Sequence, residues 1–168
     1  FLVSMKLFRD ECNQGASLDA SVTLNVFEEG TDLPINLTIF LPQDSTRIPI
    51  LGDECFSPPP CLEIGYYSAI VQLPPSPNGL YLVWERCCRS ESIINIVEPE
   101  NFGMVFVATI PDPVLQNSSP IFSPYPTDGY FCVNTTNQFS FEALDPDGDS
   151  LVYSLDNPLY GELAVNFP

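Results

Sequence analysis

Apolar and polar residues alternate along several short stretches in the first two thirds of the chain. The clearest is ASVTLNVF at 20–27, where every even-numbered residue is apolar and the residues between them are mostly polar. A repeat of two residues is the signature of a half-buried β-strand. No stretch keeps a helical apolar period of useful length. The pattern therefore predicts seven strands, at 1–8, 20–27, 35–41, 63–73, 80–89, 92–97 and 102–110.

Short turns separate these predicted strands. EEGTDLP at 28–34 and PPSPNG at 74–79 carry the Gly, Pro and Asn residues that tight turns require. Seven short alternating strands predict an all-β fold, an immunoglobulin-like antiparallel β-sandwich. Trp84 shares a strand face with Cys88, and an inward tryptophan near a disulfide would suit such a sandwich.

The strand pattern is interrupted in the last third of the chain. Residues 111–129 are rich in proline and lack periodicity, so we expect a stiff linker there. Strand signals resume at 138–144 and 150–155, too few to bury a sandwich core. We therefore expect a β-sandwich domain at 1–110, a Pro-rich linker at 111–129, and at 130–168 the start of a second cadherin- or immunoglobulin-like module. Because Phe1 is not a start methionine and the sequence opens directly in a strand pattern, we also expect a piece of a longer, processed protein.

The net charge of the chain bears on which classes of molecule it can bind. The chain has 45% apolar residues, enough for a packed core, and a net charge of −17 with a single lysine. Nucleic acids and anionic membranes are bound by basic patches. We therefore expect no nucleic-acid partner and no direct membrane insertion.

The chain contains no histidine. This excludes Ser-His and Cys-His nucleophile pairs as well as zinc sites with imidazole ligands. Carboxylate pairs occur in DEC at 53–55 and EPE at 98–100, but acidic residues are common here and usually only solvate a surface. We expect no enzymatic activity.

Six cysteines and no histidine favour disulfides over a metal centre. Six cysteines allow fifteen complete pairings, and the sequence does not select one. Neighbouring residues on a strand point to opposite faces, so the adjacent Cys87 and Cys88 are expected to pair with distant partners. Disulfides imply an oxidising, extracellular compartment. The six positions are Cys12, Cys55, Cys61, Cys87, Cys88 and Cys132.

Three aspartates lie close together in ALDPDGDSLVYSL at 143–155. Asp145, Asp147 and Asp149 have the spacing that lets alternating carboxylates converge on a cation, and Ca²⁺ prefers such oxygen ligands. Asp112 and Glu142 are candidate further ligands. The alternative is a type I turn, with proline at its second position, glycine at its fourth and Asp145 capping it. Both interpretations stay open at this point.

Four phrases together resemble a known group of proteins. These are MKLFRDEC (5–12), VWERCCRS (83–90), NSSPIFS (117–123) and DPDGDSLVYSL (145–155). In this order they resemble secreted multi-domain surface proteins of Bacteroidota, which are gliding-motility-associated or adhesin-like and leave the cell by the type IX secretion route. In cadherin-like modules, comparable aspartate loops help to bind calcium at a domain junction.

The resemblance implies a non-catalytic structural or adhesive module of a cell-surface protein or filament. Its partners would be other copies or modules of the same protein, or surface glycans. It also implies O-glycosylation at short Asp-Ser/Thr signals, which Ser45 and Ser150 match. Two alternatives remain. One is an extracellular fibre subunit completed by strand exchange, and the other is a carbohydrate-binding accessory domain, for which Tyr66, Tyr67 and Tyr125 are candidate sugar-stacking residues.

Overall fold

A computed structural model describes residues 1–10, 17–31, 34–47, 62–91, 93–122, 134–136, 138 and 140–159. This part of the chain contains eight strands, two single-turn 3₁₀ helices and no α-helix. The strands are β1 (Leu2–Asp10), β2 (Ser21–Glu28), β3 (Pro34–Arg47), β4 (Leu62–Ile70), β5 (Leu80–Arg86), β6 (Met104–Ile110), β7 (Ile121–Phe122) and β8 (Ala143–Leu144). The 3₁₀ helices span Pro99–Asn101 and Pro113–Leu115.

Six strands form one sheet in the order β1-β4-β3-β2-β5-β6, and β7 pairs with β8 separately. β4 runs antiparallel to both β1 and β3, and β5 runs antiparallel to both β2 and β6. The predicted all-β, antiparallel class is confirmed, and a sheet of this size is consistent with a β-sandwich or a half-barrel. β1 and β6 are the two edge strands of the described sheet.

β2 follows the predicted alternation closely. Val22, Leu24 and Val26 are buried, while the polar residues between them are exposed. β5 behaves differently, because the consecutive residues Leu82, Val83 and Trp84 are all buried. A strand that buries consecutive side chains is covered on both faces of the sheet.

The chain falls into two compact units. The first comprises Phe1–Val22, Phe40–Gln72 and Ser118–Val152, and the second comprises Thr23–Ile39, Leu73–Asn117 and Tyr153–Pro168. In the first unit, Val22, Leu41 and Tyr67 are buried. The core of the second unit contains Leu24, Val26, Ile39, Leu80, Leu82, Val83 and Trp84. The division into a domain, a linker and a partial module stays a prediction.

The predicted strand at 92–97 is not formed over its described residues, which adopt turns and bends. The Ile93 N–H donates to the Ser90 carbonyl at 3.1 Å and closes a turn. The apolar residues here stand in adjacent pairs, at 93–94 and 96–97, and therefore lack the period of a half-buried strand. Ile94 and Val97 are accordingly exposed.

The strand signals near the end of the chain produce less regular structure than predicted. In the described part of 138–155, only Ala143–Leu144 forms a strand, paired with Ile121–Phe122. Val152 and Leu155 are almost fully exposed. The apolar residues of 150–155 have no covering layer among the described residues, so they do not form a buried strand face.

Candidate functional site

The three-aspartate loop is a tight turn. The Gly148 N–H donates to the Asp145 carbonyl at 3.3 Å, and Gly148 has a φ of +82°. The Asp145 Oδ1 atom accepts hydrogen bonds from the N–H groups of Asp147 at 2.9 Å and Asp149 at 3.2 Å. A side-chain oxygen that accepts from the backbone two residues later is the standard Asx cap of such a turn.

Asp147 connects this turn to the segment that precedes β7. Its Oδ2 atom accepts a hydrogen bond from the Ser118 N–H at 2.6 Å. A few residues further on, Phe122 pairs with Ala143 and Ile121 with Leu144. The turn, β7 and β8 are therefore held together by backbone pairing and by a side-chain bond across the base of the loop.

The five predicted calcium ligands are divided between the two compact units. Asp112 belongs to the second unit, where its Oδ1 atom accepts from the N–H groups of Val114 at 3.1 Å and Ser76 at 3.4 Å. It caps the second 3₁₀ helix. Glu142 is exposed beside β8. Within the described residues, no three Asp, Glu, Cys or His side chains form a group that could hold a metal ion. Calcium binding at Asp145, Asp147 and Asp149 stays a prediction.

Cys87 and Cys88 are joined to each other by a disulfide, across a cis peptide bond. The prediction that each pairs with a distant cysteine is therefore wrong for this structure. Strand alternation does not govern Cys87 and Cys88, because β5 ends at Arg86. Cys12, Cys55, Cys61 and Cys132 lie outside the described residues.

The two predicted O-glycosylation sites lie in different surroundings. Ser150 is exposed just after the aspartate turn. Ser45 lies in β3 opposite Tyr66, immediately after a register shift in the β3–β4 ladder, and its side chain lies outside the described part. Modification of either serine stays a prediction.

A groove of about 400 Å³ lies on the face shared by β1, β3 and β4. Its residues are brought together by the β1–β4 register, which pairs Lys6 with Tyr66 and Ser4 with Ser68. The Lys6 ammonium lies 5.8 Å from the centroid of the Tyr66 ring. From β3, Asp44 Oδ2 accepts a hydrogen bond from the Ser68 hydroxyl at 2.5 Å.

The structure separates the candidate stacking residues Tyr66 and Tyr67. Tyr67 is 1% exposed, and its hydroxyl donates to the Asp19 carbonyl at 2.8 Å and accepts from Gln43 Nε2 at 3.2 Å. Burial raises the pKa of Tyr67. The negative charge of Glu63 adds to this increase, while the hydrogen bond from Gln43 opposes it. Tyr67 is thus a core residue, and Tyr66 is the one at the surface. Tyr125 lies outside the described residues.

Sequence reasoning did not identify Ser4, Lys6, Asp44 and Ser68 as members of one site. β1 and β4 are separated by more than fifty residues, and no local pattern specifies that Lys6 lies opposite Tyr66. Asp44 lies at the register shift between Gln43 and Ser45. Such irregularities redirect side chains, and the usable signal in the sequence was only the alternation of polar and apolar residues in β1.

Fold and sites define an all-β, antiparallel protein with a surface groove and a capped aspartate turn. Its sequence is 34% identical over 83 residues to Integrin beta-like protein A of Dictyostelium discoideum, an alignment that covers 45% of this chain and 4% of the relative. The chain therefore spans a small fraction of that protein. No known protein family and no solved structure matches the chain.

The described part of the chain has no helix that is both long and apolar enough to cross a membrane.

Proposed function

We propose that this chain is a non-catalytic structural or adhesive module of a secreted cell-surface protein. The observation that carries the proposal is the similarity to a protein named for its likeness to integrin beta chains. An extracellular location is supported by the disulfide between Cys87 and Cys88, because disulfides persist in oxidising compartments. The four sequence phrases that resemble Bacteroidota surface proteins suggest the type of parent protein and the type IX secretion route.

The chemistry of the chain also favours a non-catalytic role. It lacks histidine, the usual general base near neutral pH. Tyr67, the described side chain with a raised pKa, is occupied by hydrogen bonds within the core. The strands instead provide extended surfaces, which suit a module that carries load or makes contacts.

The proposal is tested by adhesion and turnover assays on the full chain. Beads coated with the chain should attach to intact cells of the producing organism, and beads coated with the heat-unfolded chain should not. Incubation with a panel of polysaccharides should release no new reducing ends. Turnover of any glycan, or equal attachment by folded and unfolded chains, would overturn the proposal.

A self-assembling fibre subunit is a second candidate, favoured by edge strand β6. This strand, MVFVATI, has no charged residue, and its Phe106 and Val107 are 54% and 45% exposed. Uncharged edge strands accept further strands readily. Light scattering after size exclusion should then show concentration-dependent oligomers that Val107→Lys reduces. A monomer at every concentration would exclude this function.

A further inference from the structure

We propose that the groove on β1, β3 and β4 is a binding site for a neutral glycan. The glycan groove is lined by Ser4, Met5, Lys6, Asp44, Tyr66, Tyr67 and Ser68. This inference rests on the proposed adhesive function and names the class of ligand that the module would bind. Its basis is the combination, on one sheet face, of an aromatic ring with hydrogen-bonding groups of both polarities.

The Tyr66 ring provides the stacking surface. The residue is partly buried in β4 and faces Lys6 across the strand pair, so the sheet holds it in place. The face of an aromatic ring is electron-rich and attracts the slightly positive C–H groups of a pyranose. The Lys6 ammonium lies over this ring, near the outer limit of a cation–π contact. A cation–π contact at an exposed site is weak, so a sugar ring can displace the ammonium.

Asp44, Ser68, Ser4 and Lys6 provide the polar contacts. The bond from Ser68 fixes the Asp44 carboxylate through Oδ2, and Oδ1 has no partner among the described residues. Asp44 can accept from sugar hydroxyls, Lys6 can donate to them, and the serine hydroxyls can do either. Because every sugar hydroxyl is both donor and acceptor, this mixed set matches a polyhydroxylated ligand.

Charge and shape select a neutral glycan over other ligands. The chain carries a net charge of −17, which repels anionic polysaccharides and nucleotides at long range. Within the groove, the ammonium of Lys6 and the carboxylate of Asp44 offset each other. The volume of about 400 Å³ lies within the range of small-molecule sites, ~300–1,000 Å³. An open groove that combines apolar surface with hydroxyl and charged groups suits a sugar, whose rings have both apolar faces and polar edges.

The test is an array of neutral and anionic glycans probed with the full chain, followed by titration calorimetry with the best neutral oligosaccharide. We expect Tyr66→Ala and Tyr66→Leu to weaken binding by at least about tenfold. Tyr66→Leu keeps a large apolar side chain in the strand, so it separates loss of the ring from loss of folding. Asp44→Asn should weaken binding several-fold. Tyr153→Ala, at an exposed tyrosine outside the groove, is the matched control and should bind as the unchanged chain does.

The outcomes separate this inference from the proposed function. If the chain binds no glycan but coated beads still adhere to cells, the groove proposal fails while the adhesive function stands. If neither assay is positive, both fail. Binding restricted to anionic glycans, or unchanged affinity in Tyr66→Leu, would also overturn the assignment. Binding of a neutral glycan that both Tyr66 variants weaken and Tyr153→Ala does not would confirm it.

Discussion

At the scale of single residues, Asp145 holds its turn with one carboxylate oxygen. The Oδ1 atom accepts two backbone N–H groups, and the Asp147 carboxylate accepts a third from Ser118. Two of the three aspartates therefore already stabilise the loop through hydrogen bonds. The sequence left open whether the loop was a turn or a metal site, and the structure provides the geometry of the turn.

Replacing Asp145 with alanine should loosen this turn. The variant loses both accepted hydrogen bonds, worth about 1 kcal/mol in net stability at such a cap. Amide hydrogen exchange at Asp147 and Asp149 should become about fivefold to tenfold faster. Asp145→Asn keeps a side-chain oxygen acceptor and serves as the control, with a much smaller increase. Equal exchange rates in both variants would show that the side chain does not cap the turn.

The bond between Cys87 and Cys88 predicts a particular peptide map. Arg86 and Arg89 flank the pair, so trypsin releases residues 87–89 as one short peptide. Without reduction, this peptide should be linked to no other peptide. Its mass should be lower than that of the reduced peptide by the hydrogens lost on oxidation. Pairing with distant cysteines would instead give larger cross-linked peptides that separate on reduction. Mass spectrometry of the secreted chain before and after reduction distinguishes the two.

At the scale of elements, Gly79 joins β5 to the strands around it. Its carbonyl accepts from the Glu29 N–H at 3.1 Å and from the Ser76 hydroxyl at 2.9 Å, and its own N–H donates to the Ser76 carbonyl. Its φ is +90°, and a Cβ atom there would lie 2.9 Å from the Ile110 carbonyl oxygen. The Asn-Gly turn signal in the sequence therefore marks both a backbone conformation and a close approach to the end of β6.

Gly79→Ala should destabilise the protein more than Gly30→Ala does. Both glycines have positive φ, but nothing lies within 4 Å of a Cβ at Gly30. Gly30→Ala should therefore cost only the left-handed backbone penalty, about 1 kcal/mol. Gly79→Ala adds a clash with backbone and should cost about 2–3 kcal/mol. Urea denaturation of the two variants measures the difference, and equal midpoints would show that the approach to Ile110 does not constrain the fold.

Tyr67 makes stability sensitive to alkaline pH. Its pKa in the folded protein is raised above the ordinary value of 10.0, mainly by burial. The stability that the protonated Tyr67 hydroxyl contributes is therefore complete below pH 10. It is lost as the pH rises above 10, because the tyrosine of the unfolded chain releases its proton first. Tyr67→Phe should cost about 1 kcal/mol at neutral pH, because it removes the hydrogen bonds that the Tyr67 hydroxyl makes to Asp19 and Gln43.

The same variant should lose less stability between pH 9 and pH 11 than the unchanged chain does. Urea denaturation at several pH values in this window gives the slope of the unfolding free energy against pH. Tyr153→Phe, at an exposed tyrosine, should keep the slope of the unchanged chain. An identical slope in Tyr67→Phe would contradict the role assigned to its buried hydroxyl.

How well the sequence predicts an element depends on whether the interactions that form the element are local or distant along the chain. The alternation in β2 is a local property and specified both the strand and its buried face. The segment 92–97 has β-branched residues but no alternation, and composition alone gave a wrong strand. The glycan groove depends on which residue of β1 lies opposite Tyr66, and this register is set by tertiary pairing. The residues of the aspartate loop and the Tyr66 ring were identifiable from sequence, whereas the polar residues of the groove were not.

At the scale of the whole molecule, a net charge of −17 means that cations of any kind should stabilise the folded state. Repulsion between the carboxylates falls as salt screens it, with a Debye length of about 8 Å at 0.15 M ionic strength. An increase in melting temperature with calcium therefore indicates specific binding only when it exceeds the increase caused by another divalent cation at the same ionic strength.

Specific calcium binding should raise the melting temperature more than magnesium does. The increase follows from preferential binding to the folded state. The double variant Asp147→Asn and Asp149→Asn should lose this excess, while Glu91→Gln, which removes an exposed charge in the second unit, should retain it. Identical melting curves in calcium and magnesium would refute the predicted site, and the turn around Asp145 would then account for the loop by itself.

Trp84 is the only tryptophan of the chain, it is 8% exposed, and its ring lies 5.6 Å from that of Phe106 within the second unit. Its fluorescence emission is therefore a natural reporter of that unit alone, with no label to introduce. Far-ultraviolet circular dichroism reports the strands of both units. If the two signals change at the same urea concentration, the units unfold as one cooperative system, and separate midpoints would give each unit a stability of its own.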